Sequence, residues 1–167
     1  MGSVSIITLL SAIIYIYLAV YAVRLKPTTR LNRIFVALCL TCAWWAFCIA
    51  MMFPAPTYEQ AWLWFRLSAP GWCLGPTVLL HFTLVLIEKQ KSRPAARFRP
   101  VLYVPPLIFM VMGMTHGVTA TTLFHASFGW SPLNVGNTLW YWAFTFYYVT
   151  YITLAIVLVW RWGKASP

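Results

Sequence analysis

Arg66 stands about one turn inside an apolar run that extends from Trp62 to Ile87. A charged side chain at the centre of a bilayer costs at least about 2.5–3.5 kcal/mol, whereas a long one near a helix end can snorkel to the interface. Two readings stay open: a snorkelling arginine, or one turned into a helix bundle to bind the anionic group of a ligand, with Trp62 close by in sequence. Further along, the same run is interrupted by Pro70-Gly71 and Gly75-Pro76. Each proline removes an intrahelical hydrogen bond, and free backbone at membrane depth is tolerated only where it faces protein or a water-filled cavity. The cluster therefore predicts a kink, used either for packing or to shape a small cavity beside it.

Such a cavity needs a second wall. Trp140, Phe144, Tyr147 and Tyr151 fall at helical spacing on one stripe of the last apolar run, with Tyr148 alongside. Buried tyrosine hydroxyls need partners, so Tyr147, Tyr148 and Tyr151 are expected to point into a bundle. Thr8, Ser11 and Tyr15 form a comparable polar stripe in the first run. Stripes of this kind serve as interhelical glue or line a pocket for a small amphipathic molecule. The candidate ligand-binding set is Arg66, Trp62, Pro70, Gly71, Trp140, Phe144, Tyr147 and Tyr151, with no cofactor and no metal called for.

Other chemistries find less support. His81, His116 and His125 belong to different depths, whereas the two axial ligands of a haem must face one iron. Cys39-x-x-Cys42 has metal-like spacing, but one helix supplies at most two ligands and no second pair follows, so the pair is read as packing. Cys48 and Cys73 are likewise buried thiols, since none of the four cysteines lies in a loop that a disulfide would staple. The two carboxylates, Glu59 and Glu88, are far apart in the chain and offer no acid–base pair. Neither a phosphate-binding G-x-x-x-x-G-K loop nor a G-x-S-x-G elbow is present.

The elements that would position these residues follow from composition. Hydrophobic residues make up 62% of the chain and charged ones 8%, against about 45–50% and about 25% in soluble domains. So little charge cannot cover a water-facing surface. The expected fold is all-α: a polytopic membrane helix bundle with five transmembrane helices over residues 4–23, 34–53, 62–87, 101–118 and 139–160, each near the roughly 20 residues a bilayer needs. The fourth is the weakest, with Pro105 and Pro106 near its start and His116 near its end. Residues 1–164 form the membrane-embedded domain and 165–167 a tail. The first run is read as a retained span, because Arg24 and Lys26 follow it and no cleavage site does.

A net charge of +10 would suggest nucleic acid if the cations lay on a folded polar surface. Instead, eleven of the twelve Lys and Arg sit at the ends of apolar runs, where they set topology and meet anionic membrane lipids. Arg24, Lys26, Arg30 and Arg33 follow the first run; Lys89, Lys91, Arg93, Arg97 and Arg99 follow the third; Arg161 and Lys164 end the fifth. The positive-inside rule then puts the amino terminus outside and the carboxy terminus in the cytoplasm. Trp62, Trp64, Trp130, Trp140 and Trp142 map near the outer boundary, as an aromatic belt would. The outer segment from Thr119 to Thr138, with His125, Trp130, Pro132, Asn134 and Gly136, is too short to be a domain of its own.

Between Arg30 and Lys89 the chain carries, in order, Asn32, Phe35, Trp44-Trp45, a short proline-rich turn, Ala61, Phe65-Arg66-Leu67, Gly71, Pro76 and His81-Phe82. This order resembles the amino-terminal membrane region of bacterial receptor histidine kinases, the family with a seven-helix sensor domain. The resemblance implies a multi-pass protein of the bacterial cytoplasmic membrane that binds a small apolar or amphipathic ligand in its bundle. It also implies relay to a cytoplasmic output domain in cis, with a homodimer as a compatible assembly and no catalytic residues in this part. Such regions have seven spans and this sequence shows five, without a phosphoacceptor or ATP-binding segment. The expectation is a fragment lacking two helices and the output domain; the alternative is a stand-alone five-helix relative. From another class, a small transporter or channel subunit is the runner-up, although intramembrane acids and internal repeats are missing.

Overall fold

The computed structural model describes residues 2–25, 29–91, 100–116, 122–133 and 138–165. Lys26, Arg93, Arg97 and Arg99 of the basic clusters, Asn134 and Gly136 of the outer segment, and Ser166 and Pro167 of the tail lie outside the described residues.

Two long helices, α1 (Ser3–Leu25) and α2 (Arg30–Met52), form an antiparallel pair. The seam is made of small side chains: Ser5, Ala12, Ala19 and Ala22 are buried on α1, and Cys39, Ala43, Ala46 and Ala50 on α2. These recur at the three, four and seven residue steps that keep one stripe facing a partner helix. Lipid tails are as apolar as leucine, so what favours association is close approach of the backbones, which small residues allow. Both ends are tied. Ser5 Oγ donates to the Ala50 carbonyl at 2.7 Å, and Asn32 Nδ2 donates to the Ala22 carbonyl at 2.9 Å. Ile6, Ile7, Leu10, Ile13 and Ile14 are left exposed on α1, a face suited to hydrocarbon.

Threonine caps set three of the helix starts. Thr29, Thr57 and Thr138 each accept a hydrogen bond from the backbone N–H three residues on, at Asn32, Gln60 and Tyr141, which satisfies one of the orphan donors of a first turn.

The third apolar run is not one kinked helix. It divides at Ser68 into α3 (Tyr58–Leu67) and α4 (Ala69–Lys91). The break thus precedes the Pro70-Gly71 and Gly75-Pro76 pairs on which the sequence placed the kink. Pro70 cannot donate to the Arg66 carbonyl and its ring would crowd it, so the ladder ends there; in the first turn of a new helix the same proline costs nothing. Pro76 lies inside α4, which continues through it.

The fourth run starts with a 3-10 turn (Pro100–Tyr103) and becomes α5 (Val104–Thr115), twelve residues or about 18 Å long. Four helical stretches among the described residues are long and apolar enough to cross a membrane: Ser3–Leu25, Arg30–Met52, Tyr58–Ile87 and Leu139–Lys164. Pro100–Thr115 is apolar but shorter. The last helix, α6 (Leu139–Ala165), packs on α4, so that α1, α2, α4 and α6 succeed one another as neighbours.

The described residues are mostly helical, in keeping with a membrane helix bundle, with one further element that the sequence did not foretell. Strands β1 (Thr122–Ala126) and β2 (Gly129–Leu133) form an antiparallel hairpin with Ala126 opposite Gly129, closed by Ser127 and Phe128. Gly129 has φ +118°, a conformation that side chains resist, and it lies against the Phe53 carbonyl where a Cβ has no room. The hairpin sits on the α2–α3 turn. Trp130 donates its indole N–H to the Ala55 carbonyl at 2.8 Å, and Leu123 joins a buried cluster with Met52, Ala55, Ala61 and Phe65.

Candidate functional site

The break between α3 and α4 exposes backbone groups that need partners within an apolar surrounding. Two side chains supply them, and a third holds one of the two in place. Trp44 donates its indole N–H to the Leu67 carbonyl at 2.7 Å, Ser68 Oγ donates to the Phe65 carbonyl at 2.6 Å, and Trp72 donates its indole N–H to Ser68 Oγ at 3.1 Å. The neighbouring Trp45 has a different task. Consecutive side chains on a helix point about 100° apart, and Trp45 meets α4 at Gly71, where an added Cβ would lie 2.5 Å from the Trp45 Cβ.

Beside that contact lies a cavity of about 340 Å³ bounded by α1, α2, α4 and α6. Tyr15 and Leu18 of α1 form one wall, and Cys39, Cys42 and Trp45 of α2 a second. Gly71, Trp72, Gly75 and Pro76 of α4 and Tyr148 of α6 complete it. A Cβ added at Gly75 would meet nothing within 4 Å. Toward the other end of α4, Phe35 and Phe82 meet with ring centroids 5.8 Å apart. Among the described residues, no Lys, Arg, His, Asp or Glu lines the cavity. Its polar groups are the Tyr15 and Tyr148 hydroxyls, the two thiols and the indoles. Neither hydroxyl has a hydrogen-bond partner among the described residues.

Behind the α4 wall, α4 and α6 are joined by polar contacts at the proline. The Tyr147 hydroxyl donates to the Cys73 carbonyl at 2.6 Å, which leaves its oxygen to accept from Thr77 Oγ1 at 2.9 Å. Cys73 lies three residues before Pro76, on the stretch of α4 that a proline loosens. Tyr151 donates to the Leu102 carbonyl at 3.3 Å, bringing in the 3-10 turn. Around these bonds Trp72 meets Phe144 edge to face at 4.9 Å, and Phe109 contacts both Phe144 and Tyr147. His81 and Tyr103 form a further link, Nδ1 to Oη, at 2.8 Å.

The eight residues singled out in the sequence do not converge on one pocket. Gly71 lines the cavity. Phe144, Tyr147 and Tyr151 occupy the contact of α6 with α4 and α5. Arg66 turns its guanidinium to the end of α5, where Nε and Nη2 donate to the Met114 and Thr115 carbonyls; those carbonyls carry the negative end of that helix's dipole. Trp62 stacks between Tyr58 and Phe65. Pro70 borders a separate groove with Thr41 and Trp44, and Trp140 is 50% exposed. Of the other lining residues, Trp72 was not singled out in the sequence, Cys39 and Cys42 were read as packing, and Trp45 was noted only within the double tryptophan. Their signal was a second stripe on α2, Phe35, Leu38, Cys42 and Trp45, at steps of three and four. Among the described residues, no three His, Cys, Asp or Glu come close enough to hold a metal ion.

Comparison with known proteins gives one result. Neither the curated proteins nor the solved structures yielded a match. The family model for the N-terminal 7TM region of histidine kinase matches residues 7–167, nearly the whole chain. With four apolar helical stretches of membrane-spanning length behind it, this multi-pass membrane chain belongs to the family of N-terminal 7TM regions of histidine kinases.

Proposed function

We propose that the chain is the ligand-sensing membrane domain, over residues 1–164, of a histidine-kinase receptor in the bacterial cytoplasmic membrane. It takes up a small apolar or amphipathic molecule within its helix bundle and relays occupancy to a cytoplasmic output domain in cis. The observation that carries this reading is the cavity of about 340 Å³ beside the α3–α4 break, within the 300–1,000 Å³ typical of small-molecule sites. The basic clusters support an amino terminus outside and a carboxy terminus in the cytoplasm, with α5 as a fifth, short crossing helix.

In this reading Gly71 borders the ligand, and Phe144, Tyr147 and Tyr151 pass its presence from α4 to α6. Trp62, Arg66, Pro70 and Trp140 frame the outer end. A ligand shifts such a domain only by binding one helix arrangement better than another. The close Trp45–Gly71 contact, with open space one turn away at Gly75, is a place where two arrangements would differ.

The test uses the purified chain in lipid nanodiscs with 10-bromodecanol, whose bromine quenches nearby indoles. Saturable quenching, from Trp45 and Trp72 at the cavity wall, is expected. It should be lost in Gly75→Leu, which fills the cavity. Quenching that rises without saturation, or that is equal in Gly75→Leu, would overturn the reading.

A further inference from the structure

Two of the four cysteines differ from the others in what they face. Cys39 and Cys42 lie three residues apart on α2, and both line the cavity, Cys39 with only 4% exposure. Cys48 and Cys73 are buried elsewhere, and all four are free thiols. The same lining carries two hydroxyls that lack partners among the described residues, Tyr15 on α1 and Tyr148 on α6, the two ends of the α1–α2–α4–α6 succession. The indoles of Trp45 and Trp72 add flat apolar walls.

These features select an occupant. With no cationic or anionic side chain in the lining, a carboxylate or an amine would be buried unpaired, at high cost. A saturated acyl chain would leave both hydroxyls unsatisfied. A flat, neutral, lipid-soluble molecule with two hydrogen-bond acceptors at opposite edges satisfies the donors and stacks on the indoles. A quinone has that shape, and it is also a two-electron oxidant of dithiols. Resting on the cavity reading above, we infer that this cavity is a quinone site at which Cys39 and Cys42 are oxidised to a disulfide.

The step balances without a further reactant. The S–H bonds of Cys39 and Cys42 break and one S–S bond forms. The two electrons and two protons released reduce the quinone's two carbonyl oxygens to the hydroxyls of a quinol. Geometry adds a mechanical consequence. Residues three apart on an α-helix have Cβ atoms about 5–6 Å apart, and a disulfide needs about 3.5–4.5 Å. A 3-10 turn brings positions i and i+3 over one another. Closing the bond therefore tightens one turn of α2 immediately before Trp45, the residue that rests on Gly71 of α4.

The test adds decylubiquinone to the purified chain in nanodiscs. Every ring position of this quinone is substituted, which blocks simple addition of a thiol to the ring. Free thiols are counted by alkylation and mass spectrometry. The expected result is loss of two alkylatable thiols, with the peptide holding Cys39 and Cys42 lighter by two hydrogens and restored by a phosphine reductant. Cys39→Ser and Cys42→Ser should each abolish the loss, and Cys48→Ser should leave it intact. Tyr148→Phe should slow it several-fold with the quinone but not with the small permeant oxidant diamide. Four thiols remaining at saturating quinone would overturn the inference, as would unchanged loss in Cys39→Ser or equal rates in Tyr148→Phe. Quenching by decylubiquinone in the double Cys→Ser variant separates the two levels. If it saturates while wild-type thiols persist, the redox step fails and the cavity stands; if neither it nor 10-bromodecanol saturates, the cavity itself fails.

Discussion

Trp45 and Gly71 are in backbone-to-backbone contact: a Cβ placed on Gly71 would lie 2.5 Å from the Trp45 Cβ and 2.9 Å from its Cα. This is where α2 touches α4, and it explains why two tryptophans stand together. Trp44 caps the end of α3 through the Leu67 carbonyl, while Trp45 forms the floor on which α4 begins. Gly71→Ala cannot be absorbed by a flexible side-chain tip, because the obstructing atoms are Cβ and backbone. Overpacking of this kind costs about 1–3 kcal/mol. Thermal unfolding of the purified protein should show a clear fall in Tm. An unchanged Tm would mean the helices part without cost.

Gly75 lies one turn further along α4 and makes the opposite prediction. A Cβ there meets nothing within 4 Å. Gly75→Ala should raise stability by about 0.5–1 kcal/mol, since a helical glycine loses more freedom on folding than alanine does. Gly75→Leu should remain folded and yet lose saturable quenching by 10-bromodecanol. Loss of folding in Gly75→Ala would show that the space at Gly75 is not open.

How far the sequence foretold this arrangement depends on the element. The runs that became α1, α2 and α6 were plain, because long apolar stretches bounded by basic residues have few other solutions. The division at Ser68 was not, although every residue responsible was in view. Pro70 looks like an interruption within a long run, and only the starting point of α4 reveals that it sits in a first turn. The β-hairpin was missed because β2 contains Pro132 and begins with Gly129, both poor strand residues. What holds the hairpin, the Trp130 indole on the Ala55 carbonyl, spans seventy-five residues and leaves no local trace. A cavity beside the Pro/Gly cluster, with the stripes of Tyr15 and Tyr148 as possible lining, was within reach of the sequence; that Cys39 and Cys42 of α2 share it follows only from the order in which helices adjoin.

Arg66 carries a prediction that separates a structural arginine from an anion site. Its guanidinium holds the Met114 and Thr115 carbonyls, at a helix end that favours a cation. Arg66→Gln should destabilise the protein by about 1.5–3 kcal/mol, the usual worth of a hydrogen bond to a charged group. Arg66→Lys should recover part of this, having one ammonium in place of a fork. Binding of 10-bromodecanol should be unaffected in either variant at temperatures where it is folded. A selective loss of binding with unchanged Tm would return Arg66 to the ligand site.

The hairpin should likewise be separable from the bundle. Trp130→Phe keeps an aromatic ring against Tyr58 and His125 but removes the donor to the Ala55 carbonyl. An amide-like hydrogen bond of this sort contributes about 0.5–1.5 kcal/mol net. The expected result is faster proteolysis within residues 122–133 without a comparable change in the unfolding of the long helices. Equal proteolysis rates would show that the cluster around Leu123 and Met52 holds the hairpin without it.

The contact of Tyr147 with Cys73 yields a sharper test, since it couples a hydroxyl on α6 to a proline on α4. Pro76 cannot donate to the Trp72 carbonyl, so this turn of α4 lacks one bond of its ladder. The Cys73 carbonyl, next in the chain, is where the Tyr147 hydroxyl donates at 2.6 Å. Interhelical bonds of this kind in membranes contribute about 0.6 kcal/mol on average and up to about 1.7. Tyr147→Phe should therefore cost an amount in that range in the native chain. In a Pro76→Ala background the restored bond to the Trp72 carbonyl firms this turn of α4, and Tyr147→Phe should cost less. The double-mutant cycle then shows a coupling above the roughly 0.3–0.5 kcal/mol within which independent sites add. Strict additivity would mean that Tyr147 merely packs beside the proline. Coupling would mean that its hydroxyl braces the turn that the proline weakens, so that α4 and α6 move together there.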